Sequence, residues 1–215
     1  MNKMARSSED QLDPEPRWPA FAAIMAVGGV YAALPTNLMM GPRWMYWAVV
    51  LVLLIPTVIS HHKGRHDINK IFSIATIGVV TVEVILSVIL LIKALISHEE
   101  KPSALLFSAG SLWFTNVLVF ALWYWRLDAG GPNHRDLRAE HTDGAFLFPQ
   151  MTLKDDKTWS PNFFDYLFLS FNTSTAFSPT DAPVLARWAK LLMMLQSFIS
   201  LTVVALLAAR AVNVL

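Results

Sequence analysis

Cysteine is absent from the 215 residues. That excludes thiol catalysis, cysteine-type zinc sites and disulfides. Charge is scarce too: 15% of residues are Asp, Glu, Lys or Arg, against about 25% in an average soluble domain. The 17 basic and 16 acidic residues nearly cancel. No net field therefore draws polyanions, and a nucleic-acid-binding role is excluded. The chain has no glycine-rich phosphate loop, no His-Glu-x-x-His and no Ser-His-Asp order, so hydrolytic and phosphotransfer chemistry lack a motif. Neither enzymatic activity nor a cofactor is expected. What is abundant is apolar: 54% of residues are hydrophobic and the mean hydropathy is +0.44. This composition excludes a disordered chain.

Run length carries the main signal. Residues 71–92 contain one charge, Glu83, and residues 103–125 and 191–209 contain none. A hydrocarbon layer of about 30 Å needs about 20 apolar residues at 1.5 Å each. All three runs meet that length and read as membrane-spanning helices. Two shorter runs, 18–34 and 44–60, have 17 residues each and begin with Trp18 and Trp44, beside Arg17 and Arg43. Such flanks suit interfacial anchors, and both runs read as further spans. The acidic stretch before Trp18 does not fit a signal peptide, so the first run reads as a retained helix behind a polar tail.

The expected organisation is a polar tail (1–17), a four-helix membrane region (18–126), a polar loop (127–160) and a C-terminal unit (161–215). Pro56 lies inside the second helix, where a proline kinks. The basic stretch His61-His62-Lys63-Gly64-Arg65-His66-Asp67 reads as a headgroup-facing loop, with His62 and His66 a metal pair only if that loop is helical. The C-terminal unit opens with Ser160 as N-cap and Pro161 at the first helical position. About 14 apolar residues follow, roughly 21 Å of helix. That is too short to cross and fits a re-entrant or interfacial helix. The predicted fold is an all-α polytopic membrane protein, with five transmembrane helices and one short re-entrant or interfacial helix before the last span.

Two resemblances follow from particular residues. The order of outer helix, loop, short aromatic helix, Thr-rich turn, Asp and inner helix resembles the pore domain of tetrameric cation channels. Leu169-Ser170-Phe171 is similar to the end of a pore helix, Thr173 and Thr175 to the first filter threonines, and Asp181 to the closing acid. Where a potassium filter reads Thr-Val-Gly-Tyr-Gly, this chain reads Ala176-Phe177-Ser178-Pro179-Thr180. Both glycines are missing, so potassium selectivity is not implied. Phe148-Pro149, Asp165, Ser170-Phe171, Phe177, Asp181 and Arg187 together resemble a bacterial inner-membrane family, domain of unknown function 1345. That resemblance covers most of the chain and implies a multi-span inner-membrane protein without an established activity.

The candidate functional residues follow from oxygen chemistry. Asn172, Thr173, Ser174, Thr175, Ser178 and Thr180 place six oxygen-bearing side chains within nine residues. Such oxygens suit hard cations. With Ala176, Phe177 and Asp181 they form the candidate path, and Gln196 of the last helix is a candidate pore-lining group. The alternative is a helix end whose hydroxyls bond their own backbone. Glu83, a carboxyl group deep in a span, shares a helical face with Ser73, Thr76 and Ser87. It reads either as an ion or proton ligand or as a neutral acid bonded to a neighbouring helix. Ser108, Ser111 and Thr115 form a second stripe, suited to helix packing.

Two functions are therefore open. One is a channel-like protein, oligomeric and tetrameric if pore-like, conducting a monovalent cation. The other is a non-conducting structural or regulatory membrane protein. Both have the lipid bilayer as partner. Five spans put the N-tail, residues 61–70 and residues 126–190 on one side, which then holds 13 of the 17 basic residues. The positive-inside rule makes that side, and the N-terminus, cytoplasmic. It also aims the Thr-rich segment at the cytoplasm, opposite to a potassium-channel pore.

Overall fold

The computed structural model of the chain describes residues 15–39, 41–62, 66–97, 102–136, 144–153, 159–175 and 182–212. They form helices α1 (Trp18–Ala33), α2 (Arg43–His62), α3 (His66–Ser97), α4 (Pro102–Leu127), the single turn α5 (Pro132–Arg135), α6 (Phe163–Thr175) and α7 (Arg187–Val212). Three short 3₁₀ turns complete the secondary structure. Among the described residues there is no strand, only an isolated antiparallel bridge between Phe146 and Val184.

Three helical stretches are long and apolar enough to cross a membrane: Ile68–Ser97, Ser103–Arg135 and Arg187–Ala209. They contain the three longest runs of the sequence. The 32 residues of α3 extend about 48 Å, well beyond a 30 Å hydrocarbon layer. The remaining two expected crossings correspond to shorter apolar helices, Trp18–Ala33 and Trp47–Thr57.

Local chemistry sets the helix ends. Pro19 lies in the first turn of α1, where its missing N–H costs nothing. α1 stops at Leu34, which is extended at ψ 147° because Pro35 follows. The basic stretch expected as a loop is mostly helix: α2 runs to His62 and α3 starts at His66. Lys63, Gly64 and Arg65 lie outside the described residues, as do the side chains of the three histidines. The cap of α6 also differs from the sequence expectation. Asn162, not Ser160, caps it, with its Oδ1 accepting the Phe164 N–H at 2.8 Å. Asp165 Oδ2 accepts the Asn162 N–H in return, also at 2.8 Å. This reciprocal pair satisfies two backbone donors where Ser160 would satisfy one, and Pro161 stays outside the helix.

α4 is the central helix. Two thirds of its apolar window is buried, against 33% for α3 and 22% for α7. It packs against α1, α3, α6 and α7, while α2 packs on α3. Gly28 lets α1 approach α2: a Cβ there would meet the Trp47 ring at 2.5 Å. The outward faces stay apolar, with Val52 and Ile55 on α2, Phe168 and Phe171 on α6, and Leu191, Phe198 and Leu201 on α7 all exposed. An apolar surface this continuous is suited to lipid rather than water.

Contacts between helix ends give the direction of each helix. Arg17, before α1, bonds Asn133 beyond the end of α4. Arg126 at the end of α4 bonds Asn69 at the start of α3, and Asn69 donates to the Thr57 carbonyl of α2. α6 enters from that same end. Its Tyr166 reaches Asp128, which follows α4, and its far end lies beside Ser200, roughly 20 Å into α7. The chain then returns: the Leu147 N–H donates to the Pro183 carbonyl at 2.9 Å, and the Leu185 N–H to the Ala145 carbonyl at 2.8 Å. The cysteine-free sequence makes this hairpin course directly testable. Cysteines replacing Ser174 and Ser200 should form a disulfide on mild oxidation, read as loss of maleimide labelling. Two freely labelled thiols would contradict the packing of α6 on α7.

Candidate functional site

The residues singled out on α6 and α7 meet around one side chain. Gln196, fully buried, lies between α4, α6 and α7. Its Nε2 donates to the Ser170 carbonyl at 2.8 Å, the Ser170 hydroxyl at 2.7 Å and the Ser174 hydroxyl at 2.6 Å. Its Oε1 accepts the Tyr124 hydroxyl of α4. The Asn116 amide donates to its backbone carbonyl at 3.2 Å. Around this hub, Ser170 donates to the Val117 carbonyl at 2.6 Å. Ser200 donates to the Ser174 carbonyl and Ser197 to that of Thr173. In the structure Gln196 is therefore a packing group between three helices.

The threonines are used locally. Thr173 donates to the Leu169 carbonyl at 2.8 Å and Thr175 to that of Asn172 at 3.0 Å. α6 runs through Asn172, Thr173, Ser174 and Thr175, so these positions, resembling the start of a filter, are helical. Ala176, Phe177, Ser178, Thr180 and Asp181 lie outside the described residues. Asp165 caps its own helix. Burial holds its carboxyl above the usual aspartate range, against the lowering effect of the Asn162 N–H.

Glu83 lies apart from this hub. Its Oε1 accepts the Tyr31 hydroxyl of α1 at 2.5 Å. Of its predicted stripe, Ser73 and Thr76 donate to carbonyls of their own helix. Ser87 is 1% exposed, and its hydroxyl has no hydrogen-bond partner.

The densest polar site was not predicted. It lies within the expected polar loop, at the end of α4. Asp128 is fully buried. Its carboxylate accepts the Ala145 N–H through Oδ1 and the Tyr166 hydroxyl through Oδ2, the latter at 2.6 Å. Burial first, then Asp128, raises Tyr166 well above an ordinary tyrosine. Arg135, 5% exposed, donates to the carbonyls of Trp125 and Asp128 at 2.8 and 3.0 Å. It also pairs with Glu15 at 2.9 Å and lies over the Tyr166 ring at 5.0 Å. Glu15 further accepts the Trp125 indole N–H. Arg17 bridges Glu15 and Asp136. Burial pulls its guanidinium below the usual arginine range, although both acids oppose the shift. Gly131 makes the turn possible. Its φ is +96°, and a Cβ would come within 2.8 Å of the Arg126 carbonyl. An aromatic layer surrounds the site: Phe146 packs against Tyr124, Tyr166 and Trp188, and Phe148 against Trp159 and Tyr166.

The sequence did carry a signal for this site. Three acids and three arginines (Glu15, Arg17, Arg126, Asp128, Arg135 and Asp136) stand at the ends of apolar helices, around Gly130-Gly131-Pro132. Opposite charges at that depth have reason to pair. Among the described residues, no group of His, Asp or Glu is arranged to hold a metal ion.

No family model matches the chain, and no curated protein or solved structure matches it. Its class is set by its own features: an all-helical protein with three helices long and apolar enough to cross a membrane.

Three substitutions test the two polar centres. Gln196→Leu removes the amide's hydrogen bonds to Tyr124, Ser170 and Ser174. At about 0.6 kcal/mol each inside a membrane, it should destabilise the protein by about 2 kcal/mol. Thr173→Val, which removes only a bond within its own helix, should cost under about 1 kcal/mol. Asp128→Ala leaves the Tyr166 hydroxyl and Ala145 N–H unpaired, and should cost about 2–4 kcal/mol. Denaturation of the purified protein in detergent measures all three; a neutral Gln196→Leu or Asp128→Ala would refute the corresponding network.

Proposed function

We propose that the chain is a non-conducting, structural or regulatory multi-pass protein of the bacterial inner membrane, in which α6 is a re-entrant half-helix held for architecture. The Gln196 network carries this reading. The amide that a pore would turn towards water is fully buried and bonded to α4 and α6. The hydroxyls of Thr173 and Thr175, which a filter would turn towards ions, bond their own helix. Asp165 acts as a capping group. We assign the protein no catalytic activity and no cofactor.

In this reading α1 and α2 complete five crossings, and the end carrying Arg17, Arg126 and Arg135 faces the cytoplasm. Both proposals rest on the excess of basic residues at that end and on the shared contacts of the helix ends. The sequence resemblance to the bacterial inner-membrane family of unknown function supports the same class and location.

A cation pore completed by a homotetramer is the alternative. The exposed phenylalanine face of α6, Phe164, Phe168 and Phe171, favours it, because neighbouring copies would cover those rings. Cation flux into liposomes separates the two readings. The wild-type protein should give no flux of sodium or potassium above empty liposomes at either pH 5 or pH 8. Flux that falls in Thr175→Ala would overturn the non-conducting reading and locate the path at α6.

A further inference from the structure

Glu83 lies near the middle of α3, 17 residues from its start and 14 from its end. At 1.5 Å per residue it is roughly 20 Å or more from either end. A carboxylate at that depth is costly unless it is protonated or compensated. Among the described residues no Lys, Arg or His forms an ion pair with it. The lysines of its own helix, Lys70 and Lys93, are 13 and 10 residues away. α1 turns one titratable group towards it, Tyr31, and α4 contributes only Thr115 and Leu112 to the shared cavity.

The surroundings are those of a binding site. Tyr31, Glu83, Ser87 and Thr115 line a cavity between α1, α3 and α4, walled elsewhere by aliphatic side chains. Its free space is about that of one water molecule. Ser73, Thr76, Thr81, Ser108 and Thr115 each donate to a carbonyl of their own helix. Ser87 does not: its hydroxyl is buried and unpartnered one turn from Glu83. All four polar groups around the cavity are oxygens, the ligand type of small hard cations. The Tyr31 hydroxyl donates to the Glu83 carboxyl group and orients it.

We propose that Glu83, Ser87 and Thr115 form an intramembrane site for one small hard monovalent cation of the sodium class, with Glu83 supplying the neutralising charge and Tyr31 positioning it. The ion compensates the carboxylate and gives the Ser87 oxygen a partner. The site lies apart from α6 and does not depend on whether α6 conducts.

Thermal unfolding of the full chain in detergent tests the site. The probe is sodium chloride, titrated against choline chloride at constant ionic strength at pH 8, for the wild type, Glu83→Gln and Ser87→Ala. The wild type should gain stability saturably with sodium. Glu83→Gln should show no sodium dependence, and Ser87→Ala should need about tenfold more sodium for half of the effect, equivalent to about 1.4 kcal/mol. Should Glu83→Gln fail to fold, the shift in Ser87→Ala carries the test. A wild-type midpoint that ignores sodium would overturn the proposal. An equal sodium response in wild type and Ser87→Ala would also overturn it.

Discussion

Inside hydrocarbon a polar group has no water to bond, and the Gln196 amide is where this chain meets that demand. A helix of 13 residues is too short to cross a bilayer, and the end of α6 lies among other helices, beside Ser200 of α7. Its last turn carries hydroxyls and carbonyls that need partners there. Gln196 supplies them to Ser170 and Ser174 and links both to Tyr124 of α4. Ser200 serves the Ser174 carbonyl in the same way. With this network in place, α6 can lie against α4 and α7 and leave its phenylalanine face outward.

The same demand is met differently at the end of α4. There the chain gathers whole charges rather than amides and hydroxyls. Glu15 and Asp136 pair with Arg17 and Arg135 around the end of α4, and Asp128 and Arg135 are nearly or fully buried. Their hydrogen bonds join the segment before α1, the turn after α4 and the first turns of α6. The aromatic rings of Phe146, Phe148, Tyr166 and Trp188 enclose the site and lower its access to water. The network fixes the entry angle of α6, and the Gln196 hub fixes its depth. Glu83 follows neither pattern. It has a phenol for company and an unpartnered serine beside it, an arrangement that leaves room for an ion.

Much of the architecture was legible in the sequence because run length and membrane thickness are both simple lengths. The apolar runs 71–92, 103–125 and 191–209 became α3, α4 and α7, and the shortness of the aromatic run before Asn172 marked α6 as unable to cross. Cap positions were less legible. Ser160-Pro161 is a good helix start, but Asn162 and Asp165 make a better one as a pair. The polar loop hid its contacts: residues 127–136 look like linker by composition, yet Asp128 and Arg135 are buried there.

The sequence by itself determined the helical class, the three helices long and apolar enough to cross a membrane and the presence of isolated polar groups within them. Those properties depend on neighbours along the chain: an apolar run is apolar wherever the helix sits. Only the tertiary structure decided what each polar group bonds. Gln196 and Tyr124 are 72 residues apart, Glu83 and Tyr31 52, and Arg135 and Glu15 120. Whether such groups meet depends on the rotation and depth of each helix against the next. Many side chains set that packing together, and no local spacing reveals it.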